Sequence, residues 1–309
     1  MSISGHGNNA SLAHLSLRYP ALPQTFLRVM ELVQSGASSD PETVCEAIQH
    51  DPGVVARVLR IANSAQQSSE HEVRTVRRAV DILGAESIVG LVLGMNMAEI
   101  RSSIDGATTL PLLNYVRHSV AVAFLSRYIY LLDPLAPKGA TTRQDRANEA
   151  FTAGLLHDFG KLVLLHNFPD AASRFYGLMV GDFTSDYAVL EAERILFGFN
   201  HAEAGSFISR QLHFPSLFTQ VMALHHAAAD LSALPESLRH LIYVVAAANR
   251  VAHALDSNRP DEALEGVMGD GVWALLMADG RLGPGGVPAI LEALCDAKES
   301  LEEYLEAFA

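Results

Sequence analysis

"IQHDPGVVARVLRIANSA", Ile48 to Ala65, carries the pattern that decides the fold. Asp51 can cap the first helical turn, and Pro52 sits where a missing N–H costs nothing. The residues after Pro52 keep a helical spacing of apolar positions. The same device stands one helix earlier, at Ser39-Asp40-Pro41. Before it, Leu22, Phe26, Val29, Met30 and Val33 form one apolar helical face. After it, Thr75 is placed to cap a short helix ending near Gly84, and "ESIVGLVLGMNMAEI" predicts a long apolar helix. No stretch alternates as a strand does, so the expectation is an all-α fold.

The rest of the chain continues in kind. "SSIDGATTLP", Ser102 to Pro111, reads as a connection between two helical units. "LLNYVRHSVAVAFLSRYIYLL" predicts a helix to about Leu132, and "DPLAPKGATTRQD" a polar loop. A helix resumes near Arg146 and is expected to run on through "AGLLHDFGKLVL", Ala153 to Leu164. Further helices are predicted over 185–197, 202–212, 216–226 and 237–255. The expected organisation is a flexible start (1–14), an N-terminal helical layer (15–110), a helical bundle (111–255) and a helical extension (256–309). In that extension "DGRLGPGGVP" reads as a loop, and Ile290, Leu291, Leu294, Leu301 and Leu305 give the last helix a face for packing.

Composition narrows the function classes. The 309 residues are 49% hydrophobic and 7% aromatic, which suits an aliphatic helical core. A formal net charge of -13 argues against general binding of DNA or RNA, which rests on Lys and Arg. The densest basic stretch, Arg74 to Arg78, reads equally as a solvated helix start. Two cysteines, Cys45 and Cys295, far apart in sequence, point to a reducing compartment rather than a disulfide framework. No secretory signal and no membrane span is read, so a cytoplasmic protein is expected.

The chemistry gathers around His157 and Asp158. A neutral imidazole and a carboxylate suit a first-row metal. Lys161, nearby on the same segment, can neutralise a phosphate. The bland alternative is an Asp–Lys pair at i, i+3 with His157 bonded to backbone. Four more histidines lie in otherwise apolar helices or at their starts: His118 in "RHSVAVA", His201 in "FNHAEAG", and the pair His225-His226 in "VMALHHAAAD". The remaining histidines are read as surface or packing residues.

From about Leu15 to Leu255 the chain resembles the HDOD family, the HD-related output domain of bacterial signalling proteins. "LPALPQTFLRVMEL", "IQHDPGVVARVLRIANSA" and "TVRRAVDILGAESIVGLVLG" carry the first half of the likeness. "HSVAVA", "AGLLHDFGKLVL", "FNHAEAG" and "ALHHA" resemble the HD phosphohydrolase superfamily, especially its HD-GYP branch. The resemblance implies an N-terminal helical layer on an HD-like bundle. It also implies His118, His157 and Asp158 as metal ligands, Lys161 as a phosphate contact, and His201, His225 and His226 as the added ligands of that branch. Two departures stand out. The distant ligand Asp is replaced by Asn249, which can offer an oxygen but no charge. The Gly-Tyr-Pro loop is absent after His226, where the chain reads "AAADLSALPESLRH". The resemblance therefore implies a non-catalytic regulatory module that binds signalling proteins or a small signal molecule; the acidic balance argues against direct nucleic-acid binding, and the lack of an apolar span against a membrane partner. The competing readings are a metal-dependent phosphohydrolase or phosphodiesterase acting on a nucleotide or cyclic dinucleotide, and, after it, a structural scaffold whose histidines only pack. A divalent metal (Fe, Mn or Zn) is the candidate cofactor in either case.

Overall fold

The computed structural model describes residues 17–19, 22–35, 37–65, 73–102, 109–132, 143–178, 186–226, 231–255, 266–267 and 271–278. Among these residues the regular structure is helical throughout, with no strand. The helices are α1 (Gln24–Ser35), α2 (Pro41–Ile48), α3 (Pro52–Ala65), α4 (Val76–Leu83), α5 (Ala85–Ser102), α6 (Thr109–Leu132) and α7 (Arg143–Leu156). They continue as α8 (Phe159–Asn167), α9 (Pro169–Leu178), α10 (Asp186–Phe197), α11 (His201–Gln211), α12 (Ser216–Leu224), α13 (Glu236–Leu255) and α14 (Gly271–Ala278).

The caps read from sequence are made. The Asp40 side chain accepts from the Thr43 N–H, with Pro41 opening α2. Thr75 accepts from the Arg78 N–H, and α4 stops at Gly84, whose φ of 84° suits a residue without Cβ. Asp51 does two jobs. Its Oδ1 accepts the Val54 N–H at 3.0 Å, while Oδ2 accepts the Thr25 hydroxyl of α1 at 2.8 Å. The Asp-Pro step thus starts α3 and ties it to α1. At the other end of α3, the Asn63 amide donates to the Val73 carbonyl and accepts the Val73 N–H. That clip fixes where the chain enters α4.

α5 is the helix both parts of the molecule share. It packs on α1, α2, α3 and α4, and also on α6 and α7. Ile88, Val89, Leu91, Val92, Leu93 and Met95 are buried around its whole circumference, as an apolar helix without a polar face must be. Gly90 lets α7 close in: a Cβ there would lie 2.4 Å from the Phe151 ring. α6 and α7 pair along their length, and α13 lies against both. α13 is buried from Leu241 to Ala252 without interruption. α8 packs on α11, α11 on α12, and α12 on α7 and α13. α14 covers α13 with Val272, Trp273 and Leu276 buried. The expected linker at Ser102–Pro111, the loop at 133–145, the N-terminal segment and the last amphipathic helix lie largely or wholly outside the described residues. No single described helix is long and apolar enough to cross a membrane; one bent pair, Val76–Leu83 with Ser87–Asn96, passes on length and composition.

One expectation needs correcting. His157 and Asp158 do not ride one continuous helix. α7 ends at Leu156, the two residues form a turn, and α8 begins at Phe159. Likewise α12 ends at Leu224, so His225 and His226 stand in the turn after it. In both places the break places the polar side chains at a helix end, where they can turn into the bundle.

A buried histidine–aspartate cluster

The cluster is assembled by close helix contacts. α7 approaches α6 at Gly154, where a Cβ would meet the Val122 carbonyl at 2.8 Å and the Ala123 Cα at 2.9 Å. α8 approaches α11 at Gly160, where a Cβ would fall 1.8 Å from the His201 carbonyl oxygen and 2.7 Å from the Gly205 nitrogen. Backbone cannot yield as a side-chain tip can, so these two glycines set the spacing of the ligand-bearing elements.

Asp158 is the hub. It occupies the N-cap position of α8 yet makes no capping bond, forgoing a contact worth about 1 kcal/mol. Its carboxylate points into the bundle instead and is only 1% exposed. Oδ2 lies 2.6 Å from Lys161 Nζ, 3.3 Å from His157 Nε2 and 3.7 Å from His118 Nε2. Oδ1 lies 3.2 Å from His201 Nε2 and 3.5 Å from His225 Nε2. Burial alone would raise the Asp158 pKa, but the neighbouring His157 and Lys161 outweigh it and hold the group well below the carboxylate range.

Three of the histidines are oriented by their other ring nitrogen. His157 Nδ1–H donates to the Gly154 carbonyl at 2.6 Å. His225 Nδ1–H donates to the Met222 carbonyl at 3.0 Å. His201 Nδ1–H donates to Glu193 Oε2 at 2.7 Å. All three therefore aim Nε2 at Asp158. For His157 and His225 that Nε2 is buried and completes no hydrogen bond, an expensive arrangement if nothing else ever binds there. Both contacts of the bland reading, Lys161 on Asp158 and His157 on backbone, are present, but they leave these lone pairs over.

His226 reaches His201 across the cluster, Nε2 to Nε2 at 2.8 Å. Two imidazole nitrogens at that distance need a proton or a cation between them. Burial alone would lower the His201 pKa, but Glu193 and Asp158 reverse this and push it up to about 9. Burial and neighbouring imidazole hold His118 and His225 well below the usual histidine value, hence neutral at pH 7. His118 Nε2–H donates to Asn249 Oδ1 at 2.9 Å, and its ring stacks on His253 with centroids 4.3 Å apart.

His118, His157, Asp158, His201, His225, His226, Asn249 and Lys161 thus come from α6, α8, α11, α13 and the two turns to one buried place. Two groups have ligand atoms within 4.8 Å of one another: His118, His157 and Asp158, and Asp158, His201, His225 and His226. Asp158 belongs to both. These buried His and Asp side chains could hold a metal. The fit rests on the Nε2 atoms of His157 and His225 that complete no hydrogen bond, the neutral rings of His118 and His225, and the single central carboxylate. Glu193, wholly buried on α10, carries no sequence motif of its own, and neither does Tyr176, which donates to it at 2.7 Å. His253 joins the cluster through its ring contact with His118. The only signal for that residue is its i, i+4 spacing from Asn249 on a helix already singled out.

Comparison with known proteins agrees with this fold. The model of the HDOD domain family matches residues 19–228. A crystal structure of an HDOD domain protein of unknown function from Geobacter sulfurreducens superposes with a TM-score of 0.71 at 19% identity, over 97% of this chain and 96% of that one. A predicted phosphohydrolase from Shewanella amazonensis SB2B gives 0.63 at 21% identity, over 94% and 95%. A predicted signal transduction protein from Marinobacter aquaeolei VT8 gives 0.68 at 16% identity, over 98% of this chain and 66% of that one. A search of curated proteins finds no match.

Proposed function

We propose, from the premise that the chain belongs to the HDOD family, that it is a regulatory module of bacterial signal transduction whose buried cluster holds a divalent metal without hydrolysing a substrate. Its partners would be signalling proteins or a small signal molecule in the cytoplasm, with no membrane or nucleic-acid partner. The carrying observation is closure. Asp158, His157, His201 and His225 are each 1% exposed or less. Lys161, the phosphate-contact candidate, is already engaged, its Nζ on Asp158 Oδ2, and the ligand candidate His118 gives its Nε2–H to Asn249 Oδ1.

Hydrolysis at a metal needs an open position for water and enough ligand charge to hold the ion near it. Here Asn249 contributes no charge, and its bond to His118 keeps that Nε2 protonated. In the second half of the cluster His201 and His225 also present Nε2 toward Asp158. A bound Fe, Mn or Zn ion would supply Lewis acidity there. The chain's own residues would hold it, orient it and exclude water, drawing together α8, α11 and the two turns. Locking those elements is a regulatory act in itself, since ligand bound only to the native state stabilises it.

The phosphohydrolase reading keeps one observation in its favour: Asp158 belongs to both donor groups, so its carboxylate could serve a metal held by either. The experiment that separates the readings pairs metal analysis of protein purified without chelator with hydrolysis assays on linear and cyclic dinucleotides in Mn, Fe and Zn. The expected result is bound metal with turnover at background. Robust turnover abolished by His157→Ala and by Asp158→Ala would overturn the regulatory reading.

A further inference from the structure

We propose that Glu193 is the positioning residue for the His201 side of the metal cluster, holding that imidazole so that Nε2, and not Nδ1, meets an ion. The inference rests on the metal reading above and adds to it a residue that belongs to neither donor group.

Glu193 is a carboxylate buried completely on α10, in the interior of a chain that has no motif at that position. A buried carboxylate is retained only when its oxygens are occupied. Both are. Oε2 accepts the His201 backbone N–H at 2.8 Å and its ring Nδ1–H at 2.7 Å. Oε1 accepts the Tyr176 hydroxyl from α9 at 2.7 Å. One oxygen thus grips His201 at two points, backbone and ring, which fixes the residue's position and its ring rotation together. The other oxygen is pinned by a neighbouring helix, so the carboxylate cannot swing away.

The consequence falls on Nε2. With Nδ1 committed to Glu193, the imidazole presents Nε2 to Asp158 Oδ1 at 3.2 Å and to His226 Nε2 at 2.8 Å. His157 and His225 receive the same service from backbone carbonyls. His201 is the first residue of α11, where a helix has N–H groups to satisfy rather than spare carbonyls. A carboxylate is the acceptor that can serve both the helix start and the ring. It also makes the ring a stronger electron donor than a carbonyl would.

The test uses Co2+ alone as probe, followed by visible absorption on the full chain. Outer partners of metal-bound histidines cost about 10- to 100-fold in metal affinity when removed. Glu193→Ala should weaken Co2+ binding by about that range and change the d–d bands, as the His201 nitrogen leaves the ion. Glu193→Gln keeps an oxygen for both His201 donors, so it should recover most of the loss. Histidine 15N spectra of the metal-free protein should lose the hydrogen-bonded Nδ1–H signal of His201 in the Ala variant alone. Wild-type affinity and bands in a folded Glu193→Ala protein would overturn the inference while leaving the metal reading intact. If Glu193→Ala does not fold, Tyr176→Phe carries the test: releasing Oε1 should weaken Co2+ several-fold, and unchanged affinity would overturn it. A wild type that takes up no Co2+ overturns the metal reading and this inference with it.

Discussion

At Asn249 the difference between a carboxylate and an amide decides how strongly the cluster can grip an ion. Asn249→Asp would place a second buried negative charge beside His118, 2.9 Å from its Nε2. In metal-free protein that charge faces Asp158 across the same imidazole, so the variant should melt lower than wild type. With metal present it supplies the charge that ligand sets use to tune affinity, and binding should tighten by about tenfold or more. Hydrolysis rising above background only in this variant would identify a decayed catalytic site. Proton linkage gives a second expectation. The His201 pKa is raised to about 9 from 6.5. Its protonated form therefore stabilises metal-free protein fully below pH 6.5, and that contribution is lost as pH rises through 9. A metal can take Nε2 only without its proton, so uptake at pH 7.5 should release about one proton. Calorimetric titration of Zn2+ in buffers of different ionisation enthalpy counts it. Zero release would mean that the metal avoids His201.

At the scale of elements, the glycines that admit neighbouring backbone make the sharpest case. Gly160→Ala would drive a Cβ to 1.8 Å from the His201 carbonyl. No rotamer relieves a clash between two main chains, so α8 must move off α11. A loss of about 3 kcal/mol or more is expected, read as a lowered melting temperature, with metal affinity falling as His201 is displaced. Thr75→Ala removes a single cap bond at an exposed helix start and should cost about 1 kcal/mol. The contrast bears on what sequence could reveal. Caps are local, so Asp40, Asp51 and Thr75 announce helix starts within a few residues of themselves. The apolar periods placed α10, α11 and α13 within a residue or so of their bounds. The turn at His157-Asp158 was not legible, because apolar spacing continues on both sides and nothing local punctuates it. Nor was Glu193, whose bonds to His201 depend on how the turn between α10 and α11 brings the two together. Convergence of the histidines was legible only through family likeness, since no spacing rule brings residue 118 to residue 249.

For the whole molecule, α5 governs how the parts depend on each other. The sequence reading draws a line near residue 110, and the helix contacts cross it. α5 lies on the N-terminal side of that line, and it packs on α6 and α7 as well as on α1 to α4. Its residues Ile88, Val89, Leu91, Val92 and Leu93 are 1% exposed or less. Separating the chain at 110 would bare the α5 face that meets α6 and α7, and would open the matching face of the bundle. Each large aliphatic side chain so exposed costs about 1.5–3 kcal/mol, against a typical total stability of roughly 5–15 kcal/mol for a domain. A few such residues are enough to exhaust it. Calorimetry of the full chain should therefore give one cooperative transition, and metal should shift it upward as a unit. The fragment 111–309, expressed alone, should lack that transition and bind a hydrophobic dye. If instead the intact chain melts in two steps, and fragment 111–309 reproduces the metal-sensitive one, the bundle folds without α5 and the N-terminal layer is an attachment rather than part of its core.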